Sequence, residues 1–215
     1  MKKKVVCFGD SNTWGYNAAT QERYDFHLRW TGVLQSELGD EYSIIEEGLN
    51  GRMTVLYDLF EPGEPGCSHL FTVMNTHKPF DLIIIMLGTN DLSFRSSASA
   101  LEIAKDAAAL AKEAMTSDCG PGGSPPKVLL ASPIRVEPAV LDSWFGDTID
   151  PDCITRSQEF DYRYSTLAHE IGCYYINAGE YASADPFDGV HISREGHKSL
   201  GLAMAEKVRG ILNEN

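Results

Sequence analysis

The sequence predicts an α/β fold in which a five-stranded parallel sheet carries helices on both faces. Three observations lead there. Five short, mostly apolar segments recur along the chain, stretches of helical spacing separate them, and residues 81–87 are apolar without alternation. Strand and helix in alternation imply crossovers that lay a helix against the sheet. An unbroken apolar run is what a strand buried on both faces requires. With 215 residues, 43% of them hydrophobic, the chain has material for one full core, so a single domain over residues 1–215 is expected.

The elements follow in order. Residues 4–8 read as the first strand, rich in Val and Phe, and 42–46 as the second; 81–87 is the central one, followed by 127–132 and 174–177. Helical spacing covers 28–38, 68–77, 97–116, 155–171 and 193–212. Ser193 is placed to cap the last helix, whose Leu200, Ala203, Met204, Val208, Ile211 and Leu212 form one stripe suited to the core. Segments 60–71 and 136–154 exceed a plain connection, and their Pro and Gly argue against helix. Loops of that length often wall a site, though surface decoration is the alternative. Residues 120–126 are an ordinary surface connection.

Charge narrows the partners. The 18 basic and 31 acidic side chains leave a net charge of −13, which repels phosphate backbones and anionic lipid, so neither nucleic acid nor a membrane is an expected partner. After Met1-Lys2-Lys3-Lys4 only four apolar residues precede Gly9, short of the roughly 7–15 of a secretory segment. No run reaches the ~20 apolar residues of a membrane helix, and a cytoplasmic location is expected. Five cysteines without C-x-x-C spacing suit free thiols in a reducing compartment. Cys7 and Cys173 sit in apolar runs and read as packing residues.

Four motifs carry chemistry: Gly9-Asp10-Ser11-Asn12, Gly48-Leu49-Asn50-Gly51, Gly88-Thr89-Asn90-Asp91 and Asp188-Gly189-Val190-His191. Ligands of an open parallel sheet bind beyond the carboxyl ends of its strands, and all four motifs follow predicted strands. Ser11 is the candidate nucleophile; alone, its motif is equally a turn with a capping serine. His191 has Asp188 three residues earlier, close enough to bond one ring nitrogen and leave the other for Ser11. The other histidines, His27, His69, His77, His169 and His197, show no such partner in the sequence. They read as surface or packing residues, and since none has zinc-ligand spacing, no metal is expected.

Acyl transfer places negative charge on a carbonyl oxygen, which preorganised donors must meet. The candidates are the backbone N–H groups of Ser11 and Gly51 and the Asn90 amide; singly, Gly51 and Asn90 are ordinary turn formers. Asp91 reads as a local cap or turn anchor. Asp10 also invites comparison with a phospho-accepting receiver domain, whose fold is similar. Asp91 follows the third strand as that reading needs, but Asn177-Ala178-Gly179 supplies no lysine after the fifth.

Together these blocks resemble the SGNH hydrolases, or GDSL esterases and lipases, over residues 9–191. The stretches 7–15 and 46–52 resemble the intracellular bacterial arylesterase and acyltransferase branch. The resemblance implies a flavodoxin-like three-layer α/β/α fold, no cofactor, catalytic Ser11, Asp188 and His191, and an oxyanion hole of Ser11, Gly51 and Asn90. Members of that branch often assemble, so a homo-oligomer is expected. Two positions depart from the family pattern. Asn12 stands where the name motif has leucine, with little effect expected, and Met53 interrupts the usual Arg-Thr-Thr, with an effect on substrate fit.

The expected activity is ping-pong hydrolysis of short-chain, acetyl-type esters of small alcohols, phenols or sugars, since no lipase-like apolar lid is evident. Transfer of the acyl group to an alcohol is the alternative. A non-catalytic binding protein is a third reading, against which the presence of both Ser11 and His191 speaks. Trp14, Phe94, Trp144, Phe145 and Phe187 neighbour the motifs or the second long loop and are candidates to line the pocket, although aromatics serve equally as core.

Overall fold

The computed structural model describes residues 2–55, 66–93 and 96–214. Strands β1 (Lys3–Gly9), β2 (Tyr42–Gly48), β3 (Leu82–Met86), β4 (Lys127–Ser132) and β5 (Tyr174–Asn177) form one parallel sheet in the order β2-β1-β3-β4-β5. This is the flavodoxin-like order, in which the chain builds outward from β1 first to one side and then to the other. The crevice between the ends of β1 and β3 is the place where such sheets receive ligands.

Side-chain alternation along the central strand divides the interior in two. Ile83 and Ile85 of β3 face α3 (Gly66–His77), α4 (Ala100–Met115) and α6 (Phe160–Ile171), whose Leu70, Ile103 and Tyr164 are buried there. Leu82, Ile84 and Met86 face α2 (Trp30–Leu38) and α7 (Arg194–Asn213), packing with Trp30, Leu34 and Met204. Three layers result, as the apolar run of β3 requires. The Ser193 hydroxyl caps α7 by accepting from the Gly196 N–H at 3.1 Å, and Leu200, Met204, Val208 and Ile211 are buried. The five cysteines are free thiols. Among the described residues no helix is long and apolar enough to cross a membrane.

Several boundaries differ from expectation. The helix expected over 28–38 begins at Trp30, because Arg29 is extended (φ −72°, ψ 147°) and a 3-10 turn, Phe26–Leu28, precedes it. Arg29 turns inward instead to pair with both Glu46 oxygens at 2.9 and 2.8 Å. The helix expected over 155–171 is two: α5 (Cys153–Gln158) ends at Glu159, whose N–H bonds back to the Arg156 carbonyl, three residues away rather than four, and α6 follows. Of the loop expected over 60–71, residues 66–71 already belong to α3, and 56–65 lie outside the described residues. A four-residue helix, α1 (Ser11–Trp14), was not expected from periodicity, which so short an element cannot show.

Candidate active site

Ser11, the candidate nucleophile, is placed by the turn out of β1. Asp10 is the N-cap of α1: its carboxylate accepts from the Asn12 N–H at 2.9 Å, and its carbonyl accepts from Thr13 and Trp14 at 3.0 and 2.9 Å. Helix starts leave N–H groups without intrahelical partners. Here Asp10 takes the next three and leaves the Ser11 N–H without an acceptor among the described residues. Close packing of α1 on the sheet demands glycine at position 48, where a Cβ would sit 2.2 Å from the Trp14 nitrogen. Burial pushes the Asp10 carboxyl up to about 6, against the opposing pull of the Asn12 N–H and the nearby His191 and Arg52.

His191 arrives from the loop after β5. Its Nε2 lies 2.9 Å from Ser11 Oγ, and its Nδ1 lies 2.6 Å from Asp188 Oδ2. The other Asp188 oxygen accepts the backbone N–H groups of Val190 and His191 at 2.9 and 3.0 Å, so the carboxylate is held at both ends. Burial opposes its charge, yet the bonds from the His191 ring and these backbone groups keep the carboxyl below the usual range. Tyr16 lies against the imidazole with centroids 4.2 Å apart, and Phe145 approaches at 5.4 Å. Tyr16 was absent from the sequence-based candidates; its place two residues beyond Trp14 gives no sign that its ring turns back over His191.

The loop after β2 brings Gly51 to the same edge. Gly51 has φ +75°, a conformation that favours glycine, and its N–H has no acceptor among the described residues. The Asn90 amide, after β3, donates to the Arg52 carbonyl at 3.0 Å, which leaves its second N–H for another acceptor. Arg52 is itself buried, with its guanidinium over the Phe8 ring at 4.2 Å and bonded to the carbonyls of Gly9, at 2.8 Å, and Glu47. Burial lowers its pKa to about 10, so it remains charged at neutral pH. It joins the end of β1 to the Gly51 loop, a role not visible in the motif. Asp91 is not the local cap expected: it accepts from Thr54, 37 residues away.

Ser11, Gly51, Asn90 and His191 line one cavity of about 280 Å³. The 136–154 loop supplies its far wall through Trp144, Phe145, Asp147, Thr148 and Ile149, with the Trp144 and Phe145 rings stacked at 3.5 Å. Met53 lines it too. Two expected aromatics do not. Trp14 is engaged by Arg23, which lies over its ring at 5.2 Å, and Phe187 is 57% exposed in the turn before Asp188. Phe94 lies outside the described residues. Of the other histidines, His77 does have a carboxylate partner, Glu47 at 2.6 Å, invisible in sequence because it lies 30 positions away. His197 is buried in the α2–α7 face and receives the Trp30 N–H at 3.3 Å.

A serine, a histidine and an aspartate are bonded in series at the carboxyl edge of this sheet, and the molecule is a serine ester hydrolase. The chain belongs to the GDSL-like lipase/acylhydrolase family, whose model matches residues 7–199. Among solved structures it is similar to an inhibitor-bound aryl esterase of M. smegmatis, with 38% identity, 97% of this chain and 99% of that one covered, and a TM-score of 0.91. It is also similar to a carbohydrate acetylesterase from Sinorhizobium meliloti, with 37% identity, 98% and 100% covered, and a TM-score of 0.92. No curated protein matches the sequence significantly.

Proposed function

We propose that this chain is a short-acyl carboxylesterase that works through an acyl-enzyme on Ser11. The observation that carries the reading is the bonded series from Ser11 Oγ to His191 at 2.9 Å and on to Asp188 at 2.6 Å. His191 takes the hydroxyl proton as Ser11 Oγ attacks the ester carbonyl, and Asp188 stabilises the imidazolium that forms. The N–H groups of Ser11 and Gly51 and the second Asn90 N–H receive the oxyanion; each such donor typically contributes about 2.7–4 kcal/mol. The tetrahedral intermediate collapses, the alkoxide leaves with the proton from His191, and water then attacks the acyl-enzyme by the same route.

A cavity of about 280 Å³ falls just below the roughly 300–1,000 Å³ of most ligand pockets, and this supports short acyl groups. The similarity to an aryl esterase and to a carbohydrate acetylesterase supports acetyl esters of phenols or sugars. Among the described lining residues Asp147 is the one carboxylate and there is no Lys or Arg, which favours neutral or cationic esters over anionic ones. The stacked Trp144 and Phe145 give the wall an apolar face that supports a second outcome, transfer of the acyl group to a bound alcohol.

Hydrolysis of p-nitrophenyl acetate, butyrate and octanoate tests the reading. Rates falling from acetate to octanoate support it, and octanoate as the fastest substrate contradicts the short-acyl assignment. The same reactions with added alcohol separate the two outcomes by the ratio of new ester to free acid.

A further inference from the structure

Position 12 is where this chain departs from the family's name motif, with asparagine in place of leucine. We propose that Asn12 is a positioning residue whose amide braces the histidine loop, holding His191 within hydrogen-bond reach of Ser11. The proposal rests on the reading of Ser11 as nucleophile and His191 as its base.

Asn12 follows Ser11 in α1 and is buried, 3% exposed. Its Oδ1 accepts the Ile192 N–H at 2.8 Å, and its Nδ2 donates to the Val190 carbonyl at 3.4 Å. The two bonds therefore grip the backbone on either side of His191. The Asn12 carbonyl is in turn anchored from α2 by the Trp30 indole N–H at 3.1 Å, so the brace stands on a fixed base.

Apart from its bonds to α1 and from the Glu137 N–H, which donates to the Gly189 carbonyl at 2.8 Å from the segment after β4, the other bonds of the histidine loop run within it. Asp188 takes the Val190 and His191 N–H groups, Asp185 N–H donates to the His191 carbonyl at 2.6 Å, and Ser193 N–H donates to the Ser183 carbonyl at 3.1 Å. These bonds shape the loop without setting its distance from α1. Among the described residues, the hydrogen bonds that join it to α1 come from two side chains, Asn12 and Ser11 itself.

Asn12 does not itself line the cavity, and its side-chain bonds go to the backbone of Val190 and Ile192 rather than to Ser11 Oγ or the His191 ring. Its effect passes through His191, which must stay near 2.9 Å from a serine 180 residues away. A misplacement of about 1 Å in such a pair can cost ~100-fold in rate. Leucine has the same number of side-chain heavy atoms as asparagine but offers neither bond, and it leaves the Ile192 N–H and Val190 carbonyl without these partners.

The test compares wild type with Asn12→Ala, Asn12→Leu and Asn12→Asp on p-nitrophenyl acetate. Rates are expressed per active site titrated with a fluorophosphonate, and thermal unfolding is followed alongside. Asn12→Asp keeps an acceptor for Ile192 and loses the donor to Val190. The expected result is a kcat lowered about 10- to 100-fold in Asn12→Ala and Asn12→Leu, with KM within about twofold and partial recovery in Asn12→Asp. Wild-type kcat in the Ala and Leu variants overturns the brace, as does a loss that only follows the fraction of unfolded protein. If Asn12→Ala does not fold, Asn12→Leu, which keeps the branched side-chain skeleton, decides by the same criteria. Ser11→Ala separates the two levels: an active Ser11→Ala defeats the serine reading itself, whereas an inactive Ser11→Ala beside a fully active Asn12→Leu defeats the brace alone.

Discussion

Asp91 and Thr54 join the loop that carries Gly51 to the turn that carries Asn90. The buried Asp91 carboxylate accepts the Thr54 hydroxyl at 2.6 Å and the Thr54 N–H at 3.2 and 3.1 Å. Beside it, the Asn90 amide holds the Arg52 carbonyl. Two adjacent residues after β3 thus fasten the loop that carries Gly51. Thr54→Val removes the hydroxyl bond and keeps the shape. At pH 7.5 it is expected to lower unfolding stability by about 1.5–3 kcal/mol, the range for hydrogen bonds to charged groups. Urea unfolding measures this, and an unchanged midpoint contradicts the tie.

Two buried carboxyls give stability a pH dependence opposite in sign to that of Asp188. Burial raises Asp10 and Asp91 from the usual 3.8 to about 6. A raised carboxyl binds its proton more tightly in the folded state. Its stabilising contribution is therefore complete below about pH 4 and is lost as pH rises through about 6. Asp188 is held below its usual range, so its contribution is present above that range and disappears as pH falls through its folded value. Asp10→Asn keeps a capping acceptor for Asn12 and removes one raised carboxyl. Relative to wild type it should gain stability between pH 4 and pH 7, by on the order of 3 kcal/mol. Urea unfolding at both pH values measures the difference, and a constant difference contradicts the Asp10 assignment.

Asn90→Ala removes an expected oxyanion donor, and also the bond to the Arg52 carbonyl. Its bond to the oxyanion forms mainly in the transition state, so kcat should fall about 100- to 1,000-fold with a smaller change in KM. Steady-state kinetics decide it; a rise in KM with kcat intact points to ground-state binding instead.

Among the described lining residues Asp147 is the one carboxylate, on the far wall of the cavity, and it should set preference by ester charge. In Asp147→Asn, kcat/KM for an anionic aryl acetate should rise by about two- to fivefold, and that for a cationic one should fall by a similar factor, since exposed pairs contribute up to about 1 kcal/mol. Parallel changes for both substrates contradict an electrostatic role.

What the sequence revealed follows the range of the interactions involved. The strands were legible because burial on both faces leaves an apolar run such as Leu82–Met86. The meeting of Ser11, Asp188 and His191 was legible because each chemical group sits in a short local pattern after a strand. The ties among those patterns were not. Arg52 to Gly9, Asp91 to Thr54 and Asn12 to Ile192 are separated by 43, 37 and 180 residues, and no local spacing encodes them. The aromatic wall was half legible: Trp144 and Phe145 line the cavity, while Tyr16 replaced Trp14 because side-chain direction in a turn is set by tertiary neighbours such as Arg23. The break at Glu159 left no proline or glycine to announce it.

The most direct test of Ser11 as the nucleophile is hydrolysis of p-nitrophenyl acetate by wild type and Ser11→Ala, with the mass of the protein followed during turnover. The expected result is an acyl adduct on wild type and a rate lowered by orders of magnitude, without adduct, in the variant. Equal rates in the two proteins contradict the mechanism.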